Sequence, residues 1–436
     1  MKLKKALVAI ALSSVIAPNV WATNGYAPHG IGQKAKGMGG AGVAFPQDSL
    51  AGGINPAGMA FVGNRLDIGA EIFRPVRDAT LTGTDSNPMV PPNPDGFSDG
   101  SFDGSDRELF LIPEFGYNRV LNDRMTLGVS VFGNGGMNTD YAGGIPIFNA
   151  GGTNDTGIDL AQVFIVPTFT YKLNEDNALG IGLNLAVQSF AARGLQGFSA
   201  FAADGDGVNE LTNNGHDISY GAGIRVGWTG KVSDRVTLGA TYQTKTYMTE
   251  LDDYADLFAE QGDFDIPENY AIGIAIQATP KLTIAADVMR INYSGVDSVG
   301  NSVTNFFGCP ILGGGAPNSF CLGGDNGPGF GWDDQTIYKL GLAYQYSPKL
   351  TLRAGVNHGD APISSSETFF NVLAPATVET HLTLGATWQL GDGEELTFSY
   401  MHAFEEDIKG TPTPGFGTAD ISMYQDSFGI AYSWKL

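Results

Sequence analysis

From residue 66 onward the chain repeats one unit. A segment alternates apolar with small or polar residues, a short turn follows, a second alternating segment comes next, then a long polar connection. Period-two alternation marks a strand with one apolar face. In 236–248, VTLGATYQTKTYM, Val236, Leu238, Ala240 and Tyr242 share one face; Thr237, Gly239, Thr241, Gln243 and Lys245 share the other. In 378–390, Val378, Leu382, Leu384, Ala386 and Trp388 oppose Glu379, His381, Thr383, Gly385 and Thr387. Roughly fourteen such segments can be placed, most of them with the ~9–11 residues that a tilted strand needs to cross a bilayer. They fall near 66–74, 109–118, 125–134, 162–173, 178–192, 217–230, 235–248, 266–278, 281–292, 335–346, 349–357, 378–390, 394–404 and 425–436.

The connections alternate in length. Short ones carry turn residues: Asn122-Asp123, Asn174-Glu175-Asp176, Ser233-Asp234, Thr279-Pro280, Ser347-Pro348 and Gly391-Asp392-Gly393. Long ones fall near 75–108, 135–161, 193–216, 249–265, 293–334, 358–377 and 405–424. Short periplasmic turns and long extracellular loops are the rule of outer-membrane barrels, and a soluble sandwich has no reason to follow it. An open sheet would strand backbone polar groups in lipid, so the sheet must close. The expected fold is all-β: a transmembrane antiparallel β-barrel of about fourteen strands, with both chain ends on the periplasmic side.

Composition agrees. Glycine supplies 61 of 436 residues, aromatics 11% and charged residues only 16%. No run of about 18 apolar residues follows the first twenty-odd positions, which excludes helical spans in the mature chain. The net charge of −22 argues against nucleic acid as a partner; acidic loops suit divalent cations that also bridge lipopolysaccharide. Residues 1–22 read as an export signal: Lys2, Lys4 and Lys5, an apolar stretch from Leu7 to Ile16, and Val20-Trp21-Ala22 before cleavage. Cys309 and Cys321, the only cysteines, share one Gly/Pro/Asn-rich loop, and in an oxidising compartment a disulfide is expected.

Residues 36–60, KGMGGAGVAFPQDSLAGGINPAGMA, precede the first strand. A nucleotide-binding glycine loop needs a preceding strand, a following helix and a cytoplasmic address. A flexible linker would not carry Met38, Val43, Phe45, Ile54 and Met59. A compact plug fits, because small residues let backbone fold tightly in a crowded lumen. The organisation expected is a signal at 1–22, an N-terminal hatch at 23–65 and a barrel at 66–436.

Thr23-Asn-Gly-Tyr-Ala-Pro-His-Gly30, Lys36-Gly-Met-Gly-Gly-Ala-Gly-Val-Ala-Phe45 and Asn55-Pro56-Ala57 resemble the FadL/toluene-X family of outer-membrane transporters for hydrophobic molecules. Gly133-Asn-Gly-Gly-Met-Asn-Thr-Asp-Tyr141 and Leu282–Ser294 add to the likeness. The resemblance implies a fourteen-stranded barrel plugged by a hatch bearing Asn55, Pro56 and Ala57. It implies uptake of long-chain fatty acids or aromatic hydrocarbons through an external apolar groove, a pocket above the hatch and a gap in the barrel wall. The gap is attributed to a kink in the third strand, here at Phe132, Gly133, Asn134 and Gly135, where glycine favours a bulge. The last strand alternates Phe428, Ile430, Tyr432, Trp434 and Leu436 outward, like a barrel assembly signal, but ends in Leu where Phe is usual.

Strand parity points Glu71, Glu114, Arg225, Lys245, Asp287, Lys339, Arg353, Glu379 and His381 into the lumen. A fatty acid needs an apolar tunnel and a cation for its carboxylate, so Lys245, Lys339 and Arg225 are the candidate carboxylate partners. The competing reading is that lumen charges pair with one another. For the external groove, Leu195, Phe198 and Phe201 open one loop. Leu251, Tyr254, Leu257 and Phe258 lie three and four apart in another, as on one face of a short helix. Asp204–Glu210 faintly resembles a calcium loop but fails the full spacing, so no metal and no cofactor is expected.

Passive uptake of hydrophobic compounds, most of all long-chain fatty acids, is the expected function. The alternatives are an aromatic-hydrocarbon channel of the same kind and a general porin. An enzyme would need a positioned Ser/His/acid set; with five histidines and no Gly-x-Ser-x-Gly, none is indicated. The expected partners are a hydrophobic solute, outer-membrane lipid and lipopolysaccharide, with the barrel a monomer.

Overall fold

The computed structural model describes residues 24–84, 99–203, 208–391 and 393–436. The signal at 1–22 and the acidic turn at 204–207 lie outside them.

Fourteen long strands run antiparallel, each beside its chain neighbour: β1 (Arg65–Thr82), β2 (Phe110–Val120), β3 (Met125–Asn138), β4 (Gly157–Lys172), β5 (Asn177–Arg193), β6 (Asp217–Ser233) and β7 (Val236–Gln243). The other seven are β8 (Asn269–Thr279), β9 (Leu282–Ile291), β10 (Gln335–Ser347), β11 (Leu350–His358), β12 (Thr380–Gly391), β13 (Glu394–Ile408) and β14 (Thr418–Lys435). β14 pairs with β1 from Lys435 opposite Arg65 to Thr418 opposite Thr82, which closes the barrel. Two short strands, Gly100–Asp103 and Tyr247–Met248, extend the upper edges of β1 and β6.

The short connections are tight turns held by their own side chains. The Asn122 carboxamide oxygen accepts from the amides of Arg124 and Met125, and Asn174 does the same for Asp176 and Asn177. The outward rows are apolar: Leu179, Ile181, Leu183 and Leu185 of β5 are each 39–49% exposed. An uninterrupted apolar exterior on a closed barrel is a lipid-facing surface. No described helix is long and apolar enough to cross a membrane; the strands do the crossing.

Several strand limits differ from the sequence reading, β4 starting earlier, at Gly157, and β3 and β13 ending later, at Asn138 and Ile408; three further differences, in β1, β14 and β7, have a clear physical reason. β1 continues eight residues past 74, through Pro75, because β2 leaves it after the Phe73–Phe110 pair and a strand with one such neighbour tolerates proline. β14 begins at Thr418, matching the added length of β1. β7 ends at Gln243; the chain leaves the ladder and rejoins β6 at Tyr247 opposite Ala222, one residue out of step. That slip reverses parity.

Residues 24–64 fold inside the ring. Three one-turn helices, Gln33–Lys36, Ser49–Gly53 and Pro56–Phe61, are almost wholly buried, and the segment touches inward-facing groups on all fourteen strands. Inward glycines allow it to come this close. A side chain at Gly341 would sit 2.6 Å from the Met38 carbonyl oxygen, and one at Gly385 would sit 3.1 Å from the Gly37 Cα. Much of the glycine content is thus a lining for backbone against backbone.

Candidate functional site

Buried charges fasten the inner segment. The Asp287 carboxylate accepts from the amides of Gly42 at 2.7 Å and Val43 at 3.0 Å. Lys34 meets Glu395 at 2.5 Å, Lys36 pairs with Glu71, and the Gln33 amide donates to Glu114 at 3.2 Å. Arg353 donates to the Gln47 side chain at 2.9 Å. Charge-assisted bonds of this kind are strong where water is absent.

Asn55 caps the helix that Pro56 begins: its oxygen accepts from the Ala57 amide. Its amide nitrogen lies within 3.0 Å of the Val43 and Trp228 carbonyls and the Thr229 hydroxyl. The Pro56 carbonyl accepts from Thr170. Asn55, Pro56 and Ala57 are buried at the short-turn end, where this motif ties the inner segment to β4 and β6.

The three cations singled out from parity have separate fates. Lys339 donates to the His29 carbonyl at 3.0 Å. Arg225 reaches the Ile54 carbonyl at 3.4 Å and pairs with Gln243. Both therefore hold the inner segment. Lys245 does not face the lumen. The slip after Gln243 turns it into an open cleft of about 840 Å3 on the outer wall, beside the exposed Ile224, Tyr242 and Tyr247, with Asp265 at 3.6 Å.

The loop residues do assemble. Leu195, Phe198, Phe201, Leu251, Tyr254, Leu257 and Phe258 join one apolar cluster over the long-loop end. Phe190 meets Tyr254 and Phe258 edge-on, with centroids 4.8 and 4.7 Å apart. Inside the cluster lies a cavity of about 50 Å3, lined by Leu195, Phe198, Leu257 and Phe258 together with Phe148 and Phe370, and without a charged side chain. Phe148, Phe370, Phe330 and Leu373 come from loops that the sequence reading left unassigned. Of these, Phe370 had a visible signal, the aromatic pair Phe369-Phe370; Phe148, Phe330 and Leu373 had none. Cys309 and Cys321 form a disulfide in this cap, with Cα atoms 4.6 Å apart.

From the cavity an aromatic line leads to the barrel wall. Phe258 meets Phe264 at 4.8 Å, and Phe264 meets Tyr26 at 6.2 Å. Tyr26 also packs on Tyr293 and Trp332. Its carbonyl accepts from the Gly136 amide at 3.1 Å, and a side chain at Gly135 would strike its ring at 2.7 Å. Tyr26 thus lies against the kink of β3. Its signal was a lone aromatic in a small-residue motif.

At that kink the wall is unpaired. β2 and β3 pair only from Val120–Thr126 to Phe115–Val131. Above this, Phe110–Glu114 pairs with β1 and β3 pairs with β4, with a register shift between Gly133 and Gly135 and with Tyr26 taking the free side of β3 at Gly136. Asn134 is the extra residue of this bulge; its side chain donates to Gln162 at 3.1 Å. Phe132 packs edge-on against Phe164 and over Gly53.

Residues 15–414 match the family model "Outer membrane protein transport protein (OMPP1/FadL/TodX)". Among curated protein sequences none matches significantly. Solved structures match in fold at low identity. The toluene transporter TodX of Pseudomonas putida shares 18% identity over 94% of this chain and 99% of its own, at a TM-score of 0.66. A FadL homologue of Pseudomonas aeruginosa shares 17% over 94% and 99%, at 0.68. The toluene transporter TbuX of Ralstonia pickettii shares 18% over 93% and 98%, at 0.62.

Proposed function

The chain belongs to the outer membrane transport protein family of FadL and TodX, and from that premise we propose that it takes up apolar molecules by a lateral route. An apolar solute is captured in the loop cavity among Phe198, Leu257 and Phe258. It passes along Phe264 and Tyr26, and leaves through the unpaired stretch between β2 and β3. Residues 24–64 act as the hatch that keeps the lumen closed to water-soluble molecules, behind an export signal at 1–22.

One observation carries the reading: a continuous aromatic line joins an apolar cavity to a break in the wall. An apolar solute loses little along such a path, because each step trades one apolar contact for another. A porin needs an open aqueous lumen, whereas the inner segment here is bonded to strands on every side. Long-chain fatty acids and the monoaromatic compounds of the toluene transporters both present apolar surface of the kind that lines the cavity, which at about 50 Å3 must widen to admit either.

Uptake by cells making the protein tests the reading. Radiolabelled oleate or toluene should accumulate faster than in cells without it, while a disaccharide should not. Faster entry of the disaccharide with no gain for either apolar compound would establish a porin instead.

A further inference from the structure

Arg77 is fully buried on the inner face of β1. One guanidinium nitrogen, Nη2, donates to the carbonyls of Gly104 at 2.9 Å and Arg107 at 2.7 Å, and lies 3.5 Å from the Asn138 Oδ1. Its Nε and Nη1 have no hydrogen-bond partner, and neither has the Asn138 Nδ2. All three orphans are donors. Of the nearby acids, Glu108 pairs with Arg74 at 2.9 Å, Asp140 pairs with Arg193 at 3.4 Å through Oδ2, and Asp103 accepts from the Ser105 amide at 2.8 Å. Among the described residues no carboxylate forms an ion pair with Arg77.

Arg77 and Asn138 line the same cavity, of about 20 Å3, whose other walls are Phe73, Pro75, Met137, Met423 and Ala374–Ala376. It sits at the head of the unpaired stretch, where the Gly104 backbone joins Arg77 of β1 to Asp140 just past β3, donating to the Arg77 carbonyl at 2.9 Å and accepting from the Asp140 amide at 3.0 Å. A guanidinium withdrawn from water with no carboxylate in contact is destabilising, and donor groups left unmet add to that cost. Such a cluster is retained where something else supplies the acceptors. In the resting state the cavity has room for one water.

We propose that Arg77 and Asn138 form an anion site that receives the head group of the transported molecule, so that the ligand is an amphiphile with an apolar chain and a single carboxylate. The proposal rests on the lateral-uptake reading above and adds its substrate class. A carboxylate has acceptors for both free guanidinium donors and for the Asn138 amide, while Phe73, Met137 and Met423 meet the first methylenes. The cavity widens as the chain enters from the adjoining gap. Lys245, Lys339 and Arg225 are not needed for this task.

Oleate and methyl oleate have the same chain and differ in charge, so their binding to the purified full chain in detergent tests the site. Wild type should bind oleate about tenfold or more tighter than the ester. Arg77→Met should erase that difference and leave the ester's affinity unchanged; Asn138→Leu, the milder change, should reduce it severalfold. Equal binding of acid and ester by wild type overturns the anion site and leaves lateral uptake standing, and so does a preference that survives Arg77→Met. Binding of neither compound overturns both.

Discussion

The Lys339 ammonium lies 3.0 Å from the carbonyl oxygen of His29, so a strand of the wall holds the backbone of the segment that fills the lumen. The same pattern recurs at Asp287 and Glu114, and Arg353 holds the Gln47 side chain. The charges of the lumen work as fasteners, while the Arg77 guanidinium at the wall gap leaves two of its donor nitrogens unmet.

Loosening one fastener should open the lumen. Asp287→Ala leaves the Gly42 and Val43 amides without their acceptor, at a cost of about 1–3 kcal/mol to the seating of the segment. Planar-bilayer recordings should show ion-conducting openings that wild type lacks. Silent traces would mean that the segment is held redundantly.

The capture cavity should not tolerate charge. Phe198 touches Phe148, Phe306, Phe369, Phe370 and Phe416. Phe198→Asp should weaken binding of an apolar fluorescent probe about tenfold or more, with the heat-modifiable barrel band on gels unchanged.

The disulfide stabilises the cap. Cys309 and Cys321 are 12 residues apart, and a loop of that size contributes on the order of 3 kcal/mol. Reduction should speed hydrogen exchange in 309–330 and leave the strands protected. Uniform exchange before and after reduction would remove the bond from the account.

The cap should also respond to pH. Burial, then the neighbouring Asp265, pushes the Asp263 carboxyl up to about 7, with Glu260 adding to the shift and Lys245 opposing it. The folded loop therefore holds a proton that the unfolded chain releases near pH 4. The stabilisation is full below pH 4 and is lost as pH rises through about 7. Protection factors of 249–265, with exchange rates referred to unprotected amides at each pH, should fall across that window, and Asp263→Asn should flatten the dependence.

Much of the barrel is written in the sequence because strand parity is a local signal. Leu382, Leu384 and Trp388 point outward as their alternation requires. Where a ladder slips, parity inverts, and Lys245 moves from lumen to exterior. Arg77 was hidden by a boundary: Pro75 and the polar Asp78, Thr80 and Thr82 look like the start of a loop, and it is pairing with β14 across the closed barrel and with Gly100–Asp103 that extends β1 past them. Tyr26 gains its meaning from Gly135, more than a hundred residues away, a proximity that no periodicity can report.

Deleting Asn134, the bulged residue of β3, tests lateral exit most directly. Without it the strand can pair in register with its neighbours, which straightens the kink and closes the gap beside Tyr26. In cells with equal amounts of folded barrel, uptake of radiolabelled oleate should fall to the level of cells lacking the protein, while binding to the purified variant at the loops persists. Uptake at the wild-type rate through a straightened β3 would contradict the lateral route.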